Sequence, residues 1–464
     1  MDRAHSTLRR DPLSISQEPT AESGTNQATL DRLYAIVAGD DSQDRACNAI
    51  PEDACTNVPQ NFFLNLFNGL CTKLAEQLIS PGLTLPWLLT AVGAPGALVG
   101  FLSPIKQVGS LVPQLFVAAR IRQLARRKWV WVGAGGLQAC CLLLMVPSIL
   151  LLSGWSAGLA VLALLAVFSV ASGAGSVSFQ DVMGKTIPKG RRGRLLAGRA
   201  ALGGVLTLIA GLALRFFVGE DTGSGPYILL LLVSAGLWLL AAVLFAGIRE
   251  APSEQQGGHN AITEAMKGMS LVRSVTGYRK YLAARAALTS VEVAMPLFVL
   301  HAYQQVPDGM NTLAVFIVSV GLANIMSSPF WGRLSDRTAR QVMMLAAAMG
   351  GTSGVLALLL GWWVGDTLPV FYYAPVFFLL GVAEAGARVG RKTYLVDAAP
   401  SKERPLYVAF ANSAIGLVAL LLGSLGILAD VWVPASAIMA FTALAYLGGF
   451  LSYIMPEADR MVEQ

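Results

Sequence analysis

Between Phe62 and Ile454, long apolar runs alternate with short polar hinges, and this alternation limits the fold more than any other feature of the sequence. The runs lie near 62–89, 97–119, 129–152, 157–182, 195–218, 226–248, 281–304, 311–331, 341–364, 369–390, 405–429 and 432–454. A helix that crosses a bilayer needs about 20 predominantly apolar residues, and every run reaches that length. Barrel strands would run to about ten residues of alternating polarity, whereas these runs are longer and apolar on all faces. The predicted fold is therefore all-α and membrane-embedded, with twelve transmembrane helices.

Composition agrees. Hydrophobic residues make up 55% of the 464 residues and charged residues 13%. Soluble domains carry about 45–50% and about 25%, so an ordinary soluble enzyme is excluded, as is disorder over most of the length. The first two runs part at AVGAPG, residues 91–96, a turn signal. The longest polar connection, 249–280, divides the runs six and six. The expected organisation is a polar, disordered, acidic tail over 1–60, a six-helix half over 61–248, a linker over 249–280, a second half over 281–455 and a short tail over 456–464. Within the first tail, DRLYAIVAG (31–39) has helical character. No apolar stretch near Met1 reads as a cleavable signal peptide.

The net charge of +6 does not point to nucleic acid, because its distribution follows the hinges. Arg120, Arg122, Arg126, Arg127 and Lys128 follow the second run, and Lys185, Lys189, Arg191, Arg192 and Arg194 the fourth. Arg333, Arg337 and Arg340 follow the eighth; Arg391, Lys392, Lys402 and Arg404 follow the tenth. The opposite hinges hold Glu220, Asp221, Asp308, Asp366 and Asp430. The positive-inside rule then puts both termini in the cytoplasm. Five cysteines are too few for a disulfide framework, and no His/Cys cluster has the spacing of a metal site.

The halves repeat their markers. Arg120 and Arg333 stand 213 residues apart, as do Arg127 and Arg340, and IPKGRR after the fourth run matches APSKER after the tenth. Repeated halves are a signature of secondary transporters. GRLSDRTAR, Gly332 to Arg340, resembles the loop motif of the major facilitator superfamily, G-x-L-x-D-R-x-G-R-R, at Gly332, Asp336, Arg337 and Arg340. The first-half copy is degraded, with Gln123 where the acid belongs. The resemblance covers about residues 60–455. It implies two pseudo-symmetric six-helix halves around a central cavity lined by helices 1, 4, 7 and 10. Gly332 would allow close packing, and Asp336 would meet a basic group or helix N-terminus to hold the cytoplasmic side shut. The fifth helix lacks the Gly-Pro pair that drug–proton antiporters of the superfamily carry.

Charges at mid-span cost about 2.5–3.5 kcal/mol each on insertion scales and require a reason. Lys73 and Glu76 share a face of the first run; Lys106 and Gln107 lie in the second, and Glu292 and Arg285 in the seventh. Asp181 and Lys185 end the fourth run, and Glu384 and Arg388 sit one turn apart in the tenth. Four of these five runs are the cavity helices the resemblance names. Lys73, Glu76, Lys106, Gln107, Glu292, Glu384 and Arg388 are the candidates for solute and proton binding. Glu292 has no partner one turn away in its own run and is the expected proton carrier, with Glu76 in the binding site. Gly332, Asp336, Arg337, Arg340, Asp181 and Lys185 are the candidate cytoplasmic gate. Asn65, Asn68, Gln77, Asn324 and Asn412 suit interhelical hydrogen bonds. Trp87, Trp129, Trp131 and Trp155, near span ends, read as interface anchors.

Two phosphate-loop mimics fail. Phe179 stands where GKT at 184–186 needs its first Gly, and GARVGRKT at 386–393 has the wrong spacing. No cofactor, metal or catalytic constellation is expected. The resulting expectation is a secondary active transporter of a small solute, proton-coupled and non-enzymatic, embedded in the lipid bilayer, with no oligomer required. The alternative is a non-transporting membrane sensor or scaffold that keeps the transporter fold.

Overall fold

A computed structural model describes residues 29–30, 32–34, 57–121, 123–188, 191–217, 225–252, 269–306, 310–363, 369–400 and 403–461. The remainder of the expected N-terminal tail and most of the expected linker lie outside the described residues. The first half comprises α1 (Val58–Leu78), α2 (Thr84–Ala91), α3 (Gly96–Gly100), α4 (Leu102–Ile121), α5 (Lys128–Leu151), α6 (Gly154–Thr186), α7 (Arg192–Phe217) and α8 (Gly225–Ala246). The second comprises α9 (Thr276–Val293), α10 (Met295–Gln305), α11 (Met310–Ser335), α12 (Ala339–Trp363), α13 (Val370–Ala398), α14 (Arg404–Gly423), α15 (Gly426–Val431) and α16 (Pro434–Ile454).

Among the described residues, ten helical spans are long and apolar enough to cross a membrane, and the protein is an integral membrane protein. The first two expected spans fall short of that measure. The first is divided into α1 and α2 around Ser80, Pro81 and Gly82, and the second into α3 and α4. Lys73, Glu76, Lys106 and Gln107 also lower their hydropathy.

The same helix pairs meet in both halves. In the first, α1 packs on α7 and α8, α4 on α6, and α5 on α6 and α8. In the second, α9 packs on α14 and α16, α11 on α13, and α12 on α13 and α16. Between halves, α4 meets α14 and α7 meets α11. The sequence repeat is thus a structural pseudo-two-fold.

The two ends of the bundle are held differently. At the end that carries Asp430, Gly96 and Gly100 cross Gly423 and Gly426. A Cβ on Gly100 would stand 2.7 Å from the Gly423 carbonyl oxygen. The Asp430 carboxylate reaches over this crossing and accepts from the N–H groups of Gly96 (2.6 Å) and Ala97 (2.8 Å), the open first turn of α3. Trp87 packs on Tyr303 and Phe316 of the other half. These contacts close that end. Trp87 and Trp131 are buried, Trp131 stacked on Phe245, so neither is the interface anchor expected from its position near a span end. Trp129 and Trp155 are exposed.

At the basic end, each half ties its last helix to its third expected span. Glu250, after α8, accepts from the N–H groups of Arg127 (3.1 Å) and Lys128 (2.8 Å) at the start of α5. The Lys128 ammonium donates back to the carbonyls of Ala246 (2.8 Å) and Ile248 (2.7 Å). In the second half Arg340, the repeat partner of Arg127, pairs with Glu457 (2.7 Å) and donates to the Met455 carbonyl (3.1 Å). Each tie satisfies helix-end groups that have no intrahelical partner. Tyr34, from the described part of the tail, packs edge-on against Phe62 and lies under the Arg191 guanidinium.

Candidate functional site

A cavity of about 290 Å³ opens between the halves where α1 gives way to α2 and α9 to α10. Five sequence candidates line it: Lys106, Gln107, Glu292, Glu384 and Arg388. Glu292 is its most constrained group. One carboxylate oxygen is 2.5 Å from Arg391 Nε, and the other accepts from Gln107 Nε2 at 2.8 Å. Gln107 stands on α4 and Glu292 on α9, so this bond crosses the halves. The expectation that Glu292 lacks a close partner is corrected: its partners come from other helices. Arg391, placed in a loop by the sequence reading, belongs to α13, which continues to Ala398.

Glu384 and Arg388 face each other at 3.7 Å, and Arg388 approaches Asn324 Oδ1 at 3.5 Å, a long contact on both counts. Arg285 donates to Asn412 at 2.8 Å. Lys73 and Glu76 pair at 3.1 Å. Glu76 lines a second chamber of about 190 Å³ that shares Gln77, Ser80, Pro81 and Lys106 with the main cavity. Its far wall is apolar, with Leu142, Met145, Leu165, Phe168 and Trp238. Lys106 stands at the junction, 4.5 Å above the Phe168 ring and 3.4 Å from Ser172 Oγ. Arg388 keeps 46% of its side chain accessible, and Lys73, which lines neither space, keeps 51%.

The expected gate residues lie apart from this cavity. Asp181 and Lys185 do not pair with each other. Asp181 takes Arg127 at 2.8 Å and Lys185 takes Glu250 at 3.0 Å, because neighbouring helices offer stronger partners than one turn of α6 does. Asp336 and Arg337 are exposed, and Asp336 forms no ion pair among the described residues. Among the described residues a Cβ on Gly332 would meet nothing within 4 Å, so none of them makes the close packing expected there.

A family model described as Major Facilitator Superfamily matches the chain over residues 65–373 and 281–462. Uncharacterised proteins of Mycobacterium tuberculosis and Mycobacterium bovis are 22% identical over 405 residues, covering 86% of this chain and 78% of theirs. Among solved structures, a peptide transporter POT bound to sulfate aligns with TM-score 0.65 at 12% identity, over 91% of this chain and 99% of its own. A D-xylose–proton symporter aligns with TM-score 0.61 at 13% identity, over 86% and 97%. The nucleoside transporter NupG gives 0.59 at 14%, over 84% and 98%.

Proposed function

The chain belongs to the Major Facilitator Superfamily, and from that premise we propose that it carries a small solute across the membrane by alternating access, coupled to protons through Glu292. The observation that carries this reading is the Gln107–Glu292–Arg391 bridge in the cavity wall. While charged, Glu292 holds one half to the other beside the solute. Protonation ends the ion pair with Arg391 inside the second half and turns the carboxylate into a weaker acceptor for Gln107, which loosens the contact between halves.

The basic end faces the cytoplasm by the positive-inside rule. The Asp430 end, closed by the glycine crossing, is then the outer side, which leaves the inner side for access to the cavity. Glu292→Gln mimics the protonated group. In proteoliposomes it is expected to abolish accumulation driven by a pH gradient and to preserve solute exchange, which moves no net proton. Accumulation at the wild-type level with unchanged pH dependence would remove Glu292 from coupling. The second reading, a sensor or scaffold, is supported by the docking of Tyr34 on Phe62 and Arg191, which gives the tail a contact through which to signal. Lack of uptake by the wild-type protein across a metabolite panel would favour it.

A further inference from the structure

We infer that the solute is a small organic monoanion: a carboxylate carried on a compact apolar body of phenyl or branched-alkyl size. The inference rests on the transporter reading only for the cavity's being the solute site.

Charge selects the head group. Each of the three carboxylates near the cavity already has a cation. Glu292 has Arg391, Glu384 faces Arg388, and Glu76 has Lys73. Lys106 has only that same Glu76 within electrostatic reach, shared with Lys73 and Arg199. Among the described residues no carboxylate lies within 4.0 Å of its ammonium, whose contacts are a distant hydroxyl and a ring face. Arg199 adds further positive charge within electrostatic reach of Glu76, and its guanidinium spends a donor on the Asn65 carbonyl. A cationic solute would find every carboxylate occupied. An uncharged one would leave three cations sharing one carboxylate in a site partly withdrawn from water, which is costly. A negative charge on the solute offsets that surplus, and the loosely held Arg388 supplies a second, movable donor from the other half.

Shape selects the body. Among the described residues Lys106 is the one charged residue that lines both spaces. A carboxylate that meets it from the polar cavity directs its substituent past Pro81 into the chamber walled by Leu142, Leu165, Phe168 and Trp238. That chamber, about 190 Å³, accepts a ring or branched chain and excludes a polyol, whose hydroxyls would find few partners on its far wall. The main cavity, about 290 Å³, is at the lower bound of ligand pockets, about 300 Å³. The body is therefore small.

The test is a thermal-shift titration of the full chain in detergent with phenylacetate, 3-phenylpropionate, 4-methylpentanoate, acetate, phenylacetamide and phenethylamine. Stabilisation grows with ligand occupancy of the folded state. The three larger acids are expected to stabilise the protein, with acetate at least about tenfold weaker, and the amide weaker by a similar factor because it lacks the charge. The amine should have no effect. Lys106→Met should weaken the acids about tenfold. Leu142→Trp, which fills the chamber, should weaken the larger acids but not acetate. An equal response to acid and amide, a response to the amine, or no response to any larger acid would overturn the assignment, and none of these readings depends on a variant's folding. Labelled phenylacetate in proteoliposomes separates the two ideas. Binding without uptake removes the transport reading and keeps the ligand class. Uptake that ignores charge removes the ligand class alone.

Discussion

Arg391 decides what Glu292 can do. Both side chains are largely buried, with 13% and 10% accessible, so each would be an uncompensated charge without the other. Arg391→Gln is expected to lower stability by about 3–5 kcal/mol, the scale for breaking a buried pair from one side. Adding Glu292→Gln should recover much of that loss, since no orphan charge remains. Thermal unfolding of the two single variants and the double measures the coupling, and additive effects would mean that the pair is not a unit. The carboxylate was legible in the sequence because a Glu within an apolar run is conspicuous. Arg391 was not, because a run trimmed to about 20 apolar residues stops before it, whereas α13 continues to Ala398. Gln107 was singled out on polarity, but its partner, 185 residues away, could come only from the fold.

Among the elements, α3 and α15 do the least spanning and the most closing. Their glycine crossing leaves no room for a side chain, since a Cβ on Gly426 would stand 2.8 Å from the Gly96 carbonyl oxygen. Gly100→Val should therefore hold the Asp430 end open and stop transport while the protein stays in the membrane. The check is labelling, from that side, of a cysteine placed at Ser103 in a background without native cysteines; unchanged reactivity would mean that the crossing does not limit closure. Asp430→Ala should shift the same equilibrium less, by about 0.5–2 kcal/mol, the range for a lost helix cap. The hinge between α2 and α3 was legible from Gly93, Ala94, Pro95 and Gly96, and Gly93 does adopt a left-handed φ of 75°. The interruption at Ser80–Pro81–Gly82 was not, because hydropathy counts residues across a break without registering it. That break shapes the candidate site, since all three residues line the main cavity.

For the whole molecule, the repeat was legible as a constant offset between arginines, and the matching helix pairs follow it. The job of those arginines was not legible. The motif implies that Asp336 meets a basic group or helix N-terminus when the cytoplasmic side is shut, and in this structure Arg127 and Arg340 bind within their own halves. Partner choice across a bundle depends on which helix ends meet, and spacing along one strand of sequence does not encode it. The two ties should differ in strength. The Glu250 side chain is fully buried with three donors, whereas 39% of the Glu457 side chain is accessible. Glu250→Gln is expected to cost about 3–5 kcal/mol and Glu457→Gln about 0–1 kcal/mol, read by thermal unfolding in detergent. Equal losses would show that burial does not set their weight.

The Glu250 tie also bears on how the molecule comes into being. Its acceptor follows α8, and its donors lie at the start of α5 and in α6, so all its parts precede the second half in order of synthesis. Domains made in sequence tend to fold as units, the earlier one first. The first half can thus fasten its own ring of helices while the second is still being translated, and the later half meets a partner whose surface is already set. The weaker, more accessible Glu457 tie comes last, when the finished first half is there to guide the closure of the second.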